Sequence, residues 1–192
     1  MRGTRRGVTV GTVSEQERST GGRSLVVMRH AKAEPFAASD HERRLTDRGR
    51  AAAREAGEHL RELGLAPDTV LVSSATRTRE TWAEVARSLD PAGAAGPAVT
   101  VDDAFFTGSA DVVLSSLQEL PEDAGTVLFV GHNPTAAYLC HLLDHGQGDP
   151  DAVSGLLSGF APGTFAVLEL STSWADLRAE TARLTAYHGG VD

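Results

Sequence analysis

The chain has 192 residues, with 18 Lys and Arg against 26 Asp and Glu and a formal net charge of −8. That length supports one sizeable core. The acidic excess excludes a general nucleic-acid or anionic-membrane binder, since either needs a basic face, though it leaves room for a local basic pocket.

Residues 1–23 are basic and rich in Gly, Ser, Thr and Arg, with no apolar segment of the signal-peptide kind. They are expected to form a disordered leader, followed by a single domain over 24–188. The β-branched run 24–28 predicts a buried strand. A helix is predicted over 47–63, with Ala53, Ala56, Leu60 and Leu63 on its apolar face, Thr46 as cap and Gly64 as stop. A second strand is predicted at 69–74, and a helix at 78–89 with Trp82, Val85 and Leu89 on one face. Residues 90–97 read as a loop and 98–101 as a short strand. A helix follows over 109–120, capped by Ser109 and stopped by Pro121.

The clearest strand is GTVLFVGH at 125–132. After it, Asn133 is expected to cap a helix with Pro134 at its first position, running to His145 and closed by Gly146. Residues 146–163 read as loop with room for one short helix, and 164–170 and 183–187 as the last strands. Phe129, Phe165 and Trp82 read as core, and Trp174 as a cover for the sheet edge. Strands alternating with amphipathic helices predict a three-layer α/β/α sandwich around a mostly parallel sheet, whose ligands sit at the carboxyl ends of the strands.

Three polar clusters fall at such ends. Arg29-His30 follows the first strand, Arg77 lies just beyond the second, and His132 ends the strand at 125–132. Guanidinium forks match phosphate oxygens and stay charged, while imidazole is a competent nucleophile toward phosphorus. Two histidines and two or three arginines can supply the positioning and charge stabilisation that phosphoryl transfer asks for, with no metal or cofactor.

The segments LVVMRHAKAE, SSATRTRET and VLFVGHNP resemble the signature segments of the histidine phosphatase superfamily, with its phosphoglycerate-mutase-like fold. Within it, RHAKA, HERRLTDRG and GHNP are most similar to the SixA-type phosphohistidine phosphatases. The resemblance spans roughly residues 25–187. It implies His30 as the nucleophile that becomes phosphorylated and Arg29 and Arg77 as phosphate ligands. His132 would be the second histidine at the phosphoryl group. It also implies Arg43 as a further pocket arginine, although the adjacent Arg44 could take that place, and puts Asn133 next to the substrate.

Two departures from the family pattern carry information. Ala31 stands where the hallmark triplet has glycine. Asn133 occupies the place where one branch carries its general acid, and Asp102 and Asp103 are the only carboxylates near the place where another branch has it. An alkoxide leaving group needs a proton, worth about 10²–10⁴-fold in rate, whereas the imidazole of phosphohistidine can leave already protonated. The expected function is therefore a metal-independent phosphohistidine phosphatase acting on a phosphohistidine-bearing protein or small phosphorylated substrate. The alternatives are a small-molecule phosphomonoesterase of the same superfamily and a weakly active phospho-ligand binder.

Other features read as structural. His141 and His145 are four residues apart, but there is no His-Glu-x-x-His pattern and no evident third ligand, so a helix end is expected rather than a zinc site. His41, His59 and His188 read as surface residues. Cys140 is the only cysteine, which leaves no internal disulfide framework and no cysteine zinc site and fits the reducing cytoplasm. No apolar run approaches the length of a membrane span.

Overall fold

The computed structural model describes residues 22–90 and 96–190, so nearly all of the leader expected at 1–23, and most of the loop expected at 90–97, lies outside the described residues. Arg23, grouped with the leader by its composition, instead joins the domain: its guanidinium pairs with Glu122 and its carbonyl accepts from the Leu170 amide at 2.9 Å. The elements in chain order are β1 (Ser24–Arg29), α1 (Asp47–Glu62), β2 (Thr69–Ser73), α2 (Thr76–Leu89), β3 (Ala98–Asp102) and α3 (Ala104–Thr107). They continue with α4 (Ala110–Gln118), β4 (Thr126–Gly131), α5 (Thr135–Leu143), α6 (Pro150–Ser158), β5 (Phe165–Leu170) and β6 (Ala182–His188).

The six strands lie in the order β3-β2-β4-β1-β5-β6. The first four are mutually parallel, β5 pairs antiparallel with β1, and β6 pairs antiparallel with β5 at the edge. Strand alternation sorts the sheet's side chains into two cores. Leu25, Val27, Leu71, Val127 and Phe129 pack with Val113, Leu117, Leu139, Leu143 and Leu156 of α4, α5 and α6. On the other face, Val26, Met28, Val70, Val72, Leu128 and Val130 meet Ala53, Ala56 and Leu60 of α1 and Val85 of α2. This is the three-layer α/β/α sandwich.

Several boundaries differ from the sequence expectations for identifiable reasons. Thr46 caps α1 as expected, its hydroxyl accepting from the Gly49 amide at 3.0 Å. Leu63, however, sits past the end of that helix and is exposed rather than buried. The helix expected from residue 78 begins at Thr76, which puts Arg77 in its first turn. Asn133 does not cap α5. Its side-chain amide donates to the Phe160 carbonyl at 2.9 Å instead, the helix starts two residues later, and it ends at Leu143 rather than His145. Trp174 is fully buried, with Nε1 donating to the Ala124 carbonyl at 2.8 Å. Trp82 is only partly buried against the α1–α2 side of the sheet.

The strand order is what positions the site. Because β4 is inserted between β1 and β2, the carboxyl ends of these three strands lie side by side. Arg29 pairs in register with Gly131, and the His30 amide donates to the Gly131 carbonyl at 3.0 Å. His30 and His132 are thereby brought together by backbone pairing, with Ser73 and the start of α2 next to them.

Candidate active site

His30 is only 8 % exposed. Its Nδ1 lies 2.8 Å from the Ala31 carbonyl, and a carbonyl can only accept, so Nδ1 carries the proton. The lone pair is therefore on Nε2, where Arg77 Nε donates to it at 3.2 Å. Burial above all, and then the charges of His132, Arg77 and Arg29, lower the His30 pKa to about 3. The ring is neutral near pH 7 and presents one basic nitrogen in a known direction.

The His132 ring centroid is 5.1 Å from that of His30, in an edge arrangement. Its Nε2 and the Ser73 hydroxyl are 2.8 Å apart, while its buried Nδ1 has no hydrogen-bond partner among the described residues. Burial first, then Arg77, lower its pKa to about 4. Phe106 stands edge-on to His132 and also faces the guanidinium of Arg77, whose Cζ is 5.7 Å from the ring centroid.

Arg77 is 5 % exposed and divides its donors among several acceptors. Nε faces His30, Nη1 donates to the Asp40 carbonyl at 2.6 Å, and Nη2 donates to Asp40 Oδ2 at 3.0 Å. One turn later Thr81 hydrogen-bonds the Ala31 amide at 3.1 Å and donates to the Arg77 carbonyl at 2.6 Å. The stretch Ser73-x-x-x-Arg77-x-x-x-Thr81 thus places three side chains on three different parts of the site: Ser73 on His132, Arg77 on His30 and Thr81 on the backbone of Ala31. Ala31 itself is fully buried.

Arg29 points toward the β5 side, with Nη1 donating to the Phe160 carbonyl at 2.8 Å, the same acceptor that Asn133 uses. Both line a cleft of about 480 Å³ bordered by Phe160, Thr164, Tyr187 and Gly190. Of the two adjacent arginines, Arg43 is linked to Arg77 only through Asp40: Nη1 donates to Asp40 Oδ1 at 2.9 Å and Nε to the Glu34 carbonyl at 2.6 Å. Arg44 turns away to Glu80.

Asp40 is a carboxylate that the sequence reading did not single out. The hydrogen bond from Arg43, helped by Arg77, holds it below the usual carboxylate range. By contrast, Asp102 Oδ1 accepts from the Ala104 amide, and Asp103 is solvent-exposed. His41 is not a plain surface residue. Its ring meets Phe106 edge-on at 4.9 Å, and its Nε2 lies 2.9 Å from the Ser74 hydroxyl. His59 and His188 are half-buried as well, with ring centroids 4.8 Å apart and His188 stacked on Phe165. Cys140 is buried in the core while His141 on the same helix is exposed, so the two side chains diverge.

The arrangement is a cationic pocket around a neutral, tautomer-locked histidine, which is suited to receiving a phosphoryl group. That chemistry and the sandwich fold define a phosphatase-type site. Residues 25–104 match the family model of the Histidine phosphatase superfamily (branch 1). A solved structure described as "Putative Phosphohistidine Phosphatase SixA" from Nakamurella multipartitia is 38 % identical, with a TM-score of 0.77, covering 90 % of this chain and 99 % of that one. The protein histidine phosphatase SixA complexed with tungstate is 25 % identical with a TM-score of 0.68, covering 86 % and 96 %. An uncharacterized protein of Mycobacterium leprae is 32 % identical over 166 residues, covering 84 % of this chain and 98 % of its own.

The chain belongs to the histidine phosphatase superfamily and is a phosphatase with SixA-like structural neighbours. Among the described residues, no helix is long and apolar enough to cross a membrane.

The lowered histidine pKa values make stability pH-dependent. With folded values near 3 for His30 and 4 for His132, below the unfolded 6.5, the unfolded chain binds more protons in that window. Stability is therefore fully present above about pH 6.5 and falls as the pH drops toward the folded values. Removing the titrating ring with His30→Asn is expected to flatten the dependence of unfolding free energy on pH by about 1.4 kcal/mol per pH unit between pH 4 and 6. Urea denaturation at several pH values measures this, and an unchanged slope would show that His30 protonates freely when folded.

Proposed function

We propose that the protein is a phosphohistidine phosphatase that hydrolyses the P–N bond through a phospho-His30 intermediate. As the phosphoryl group enters, Arg77 Nε passes its hydrogen bond from His30 Nε2 to a phosphoryl oxygen; Nε2 then attacks the phosphorus while the bond to the substrate imidazole breaks, and that imidazole leaves carrying a proton it already holds. Arg29, Arg77 and His132 stabilise the phosphoryl oxygens. His132 can do this through Nδ1–H when the Ser73 hydroxyl donates to its Nε2, which puts the single ring proton of the neutral imidazole on the free side.

Because Nδ1–H stays on the Ala31 carbonyl, phospho-His30 is formed as an imidazolium. That is already the good leaving form for the second step. Water attacks phosphorus, the Nε2–P bond breaks, inorganic phosphate departs, and Nε2 recovers its lone pair. Neither step calls on a side chain to protonate an alkoxide.

The observation that carries the P–N reading is the state of Asp40. Clamped by Arg43 and Arg77, this carboxylate is held ionised and cannot serve as the acid that a phosphoester needs. The substrate is read as a phosphohistidine-bearing protein or a small phosphorylated molecule, and the cleft of about 480 Å³ beside Arg29 leaves room for the group that carries the phosphoryl moiety. A cytoplasmic setting suits the single buried Cys140.

The test compares kcat/KM for a phosphohistidine peptide and a phosphoserine peptide of the same sequence. The phosphohistidine peptide is expected to be preferred by about 10²-fold or more, the contribution an absent general acid withholds from the ester. Faster cleavage of phosphoserine would instead favour the small phosphomonoesterase reading.

A further inference from the structure

We propose that Asp40 is a positioning residue that fixes the guanidinium of Arg77 in the plane it needs to meet the phosphoryl group, and couples it to Arg43. The proposal rests on Arg77 being the phosphoryl ligand, as read above, and adds a residue for which no role has yet been given.

The geometry is that of a two-armed bridge. Asp40 Oδ2 takes Nη2 of Arg77 at 3.0 Å, and Oδ1 takes Nη1 of Arg43 at 2.9 Å. The Asp40 carbonyl holds Nη1 of Arg77 at 2.6 Å. The carbonyl contact alone would leave the guanidinium free to swivel about the Nη1···O line. A second contact, on Nη2, stops that swivel, and only then does Nε face His30 Nε2 at 3.2 Å.

Phe106 lies on one side of the guanidinium, its ring centroid 5.7 Å from Cζ, while Asp40 holds it through two of its nitrogens. Arg43 is anchored in turn by the Glu34 carbonyl at 2.6 Å, which ties the far side of the bridge to the backbone of the same loop. The loop carrying Glu34, Asp40 and Arg43 is therefore closed on itself and fastened to the first turn of α2.

An orienting role predicts an effect on the chemical step more than on substrate capture. Removing the carboxylate takes a negative charge away from an anion site, which does nothing to weaken phosphate binding. Misaligning Arg77, though, costs transition-state stabilisation, for which a displacement of about 1 Å is worth roughly 10²-fold.

Asp40→Ala and Asp40→Asn are to be assayed with p-nitrophenyl phosphate, whose nitro-stabilised phenolate leaves without a proton and so reports the site whatever its natural substrate. Thermal melting follows folding in parallel. Asp40→Ala is expected to lose about 10- to 100-fold in kcat with KM changed less than threefold. Asp40→Asn, which keeps one acceptor, is expected to fall between Asp40→Ala and wild type.

Wild-type kcat in folded Asp40→Ala would overturn the proposal by reducing Asp40 to a loop tie. A raised kcat with a lowered KM would overturn it too, by making the carboxylate an occupant of the anion seat. A failed preference for phosphohistidine peptides would leave this test standing, because it does not use that bond.

Discussion

His30→Ala is expected to lower kcat/KM by about 10⁴-fold or more while leaving the fold intact. The size follows from what is removed. His30 Nε2 carries the ring's lone pair, directed at the Arg77 guanidinium, because Nδ1 is committed to the Ala31 carbonyl. Burial keeps that nitrogen unprotonated well below neutral pH. His132 cannot simply take over, since its ring stands 5.1 Å away, edge-on, with Nε2 engaged by Ser73.

The measurement has two parts. Steady-state rates give the loss, and denaturing-gel analysis after brief exposure to radiolabelled phospho-substrate gives the intermediate. Acid-labile, base-stable label on wild type and none on His30→Ala is the expected pair. Label that persists in His30→Ala would move the nucleophile to another residue, His132 first.

How far the site could be read beforehand differs residue by residue. The runs LVVM and TVLFVG announce buried strands, because β-branched and apolar residues bounded by polar ends have little else to do. Arg29, His30 and His132 were legible since each sits at the end of such a run. Strand order was not legible. That β4 falls between β1 and β2 is decided by how helices cover both faces, and it is this order that turns three separate strand ends into one site.

Ser73 and Thr81 were present in the quoted Ser-x-x-x-Arg-x-x-x-Thr stretch, yet their partners, His132 and the Ala31 amide, lie on other strand ends. Asp40 gave no signal. It lies in a loop without periodicity, and its importance comes from a closure onto α2 that only tertiary structure supplies. Asn133 shows local preference being overruled: a good cap residue gives its amide to the Phe160 carbonyl, the acceptor that also takes Arg29.

Arg77→Ala is the second large effect, with an expected loss of about 10³-fold in kcat/KM, the scale of removing one preorganised donor from a transition-state site. Three consequences of the substitution act together. In the proposed mechanism the phosphoryl oxygens lose a buried cation, Asp40 is left facing Arg43 alone, and one of the charges that hold His30 unprotonated disappears. The last consequence has a definite sign. Without Arg77 the His30 pKa rises toward its ordinary value, so the acid limb of the kcat/KM profile is expected to move to higher pH in the variant. A loss caused only by misfolding would lower the amplitude without moving the limb. Arg77→Lys separates charge from geometry: an ammonium cannot serve His30 Nε2, the Asp40 carbonyl and Asp40 Oδ2 from one rigid plane, so it is expected to recover less than about a tenth of wild-type activity. Near-wild-type turnover in Arg77→Lys would mean that the pocket needs a positive charge there and not a fork.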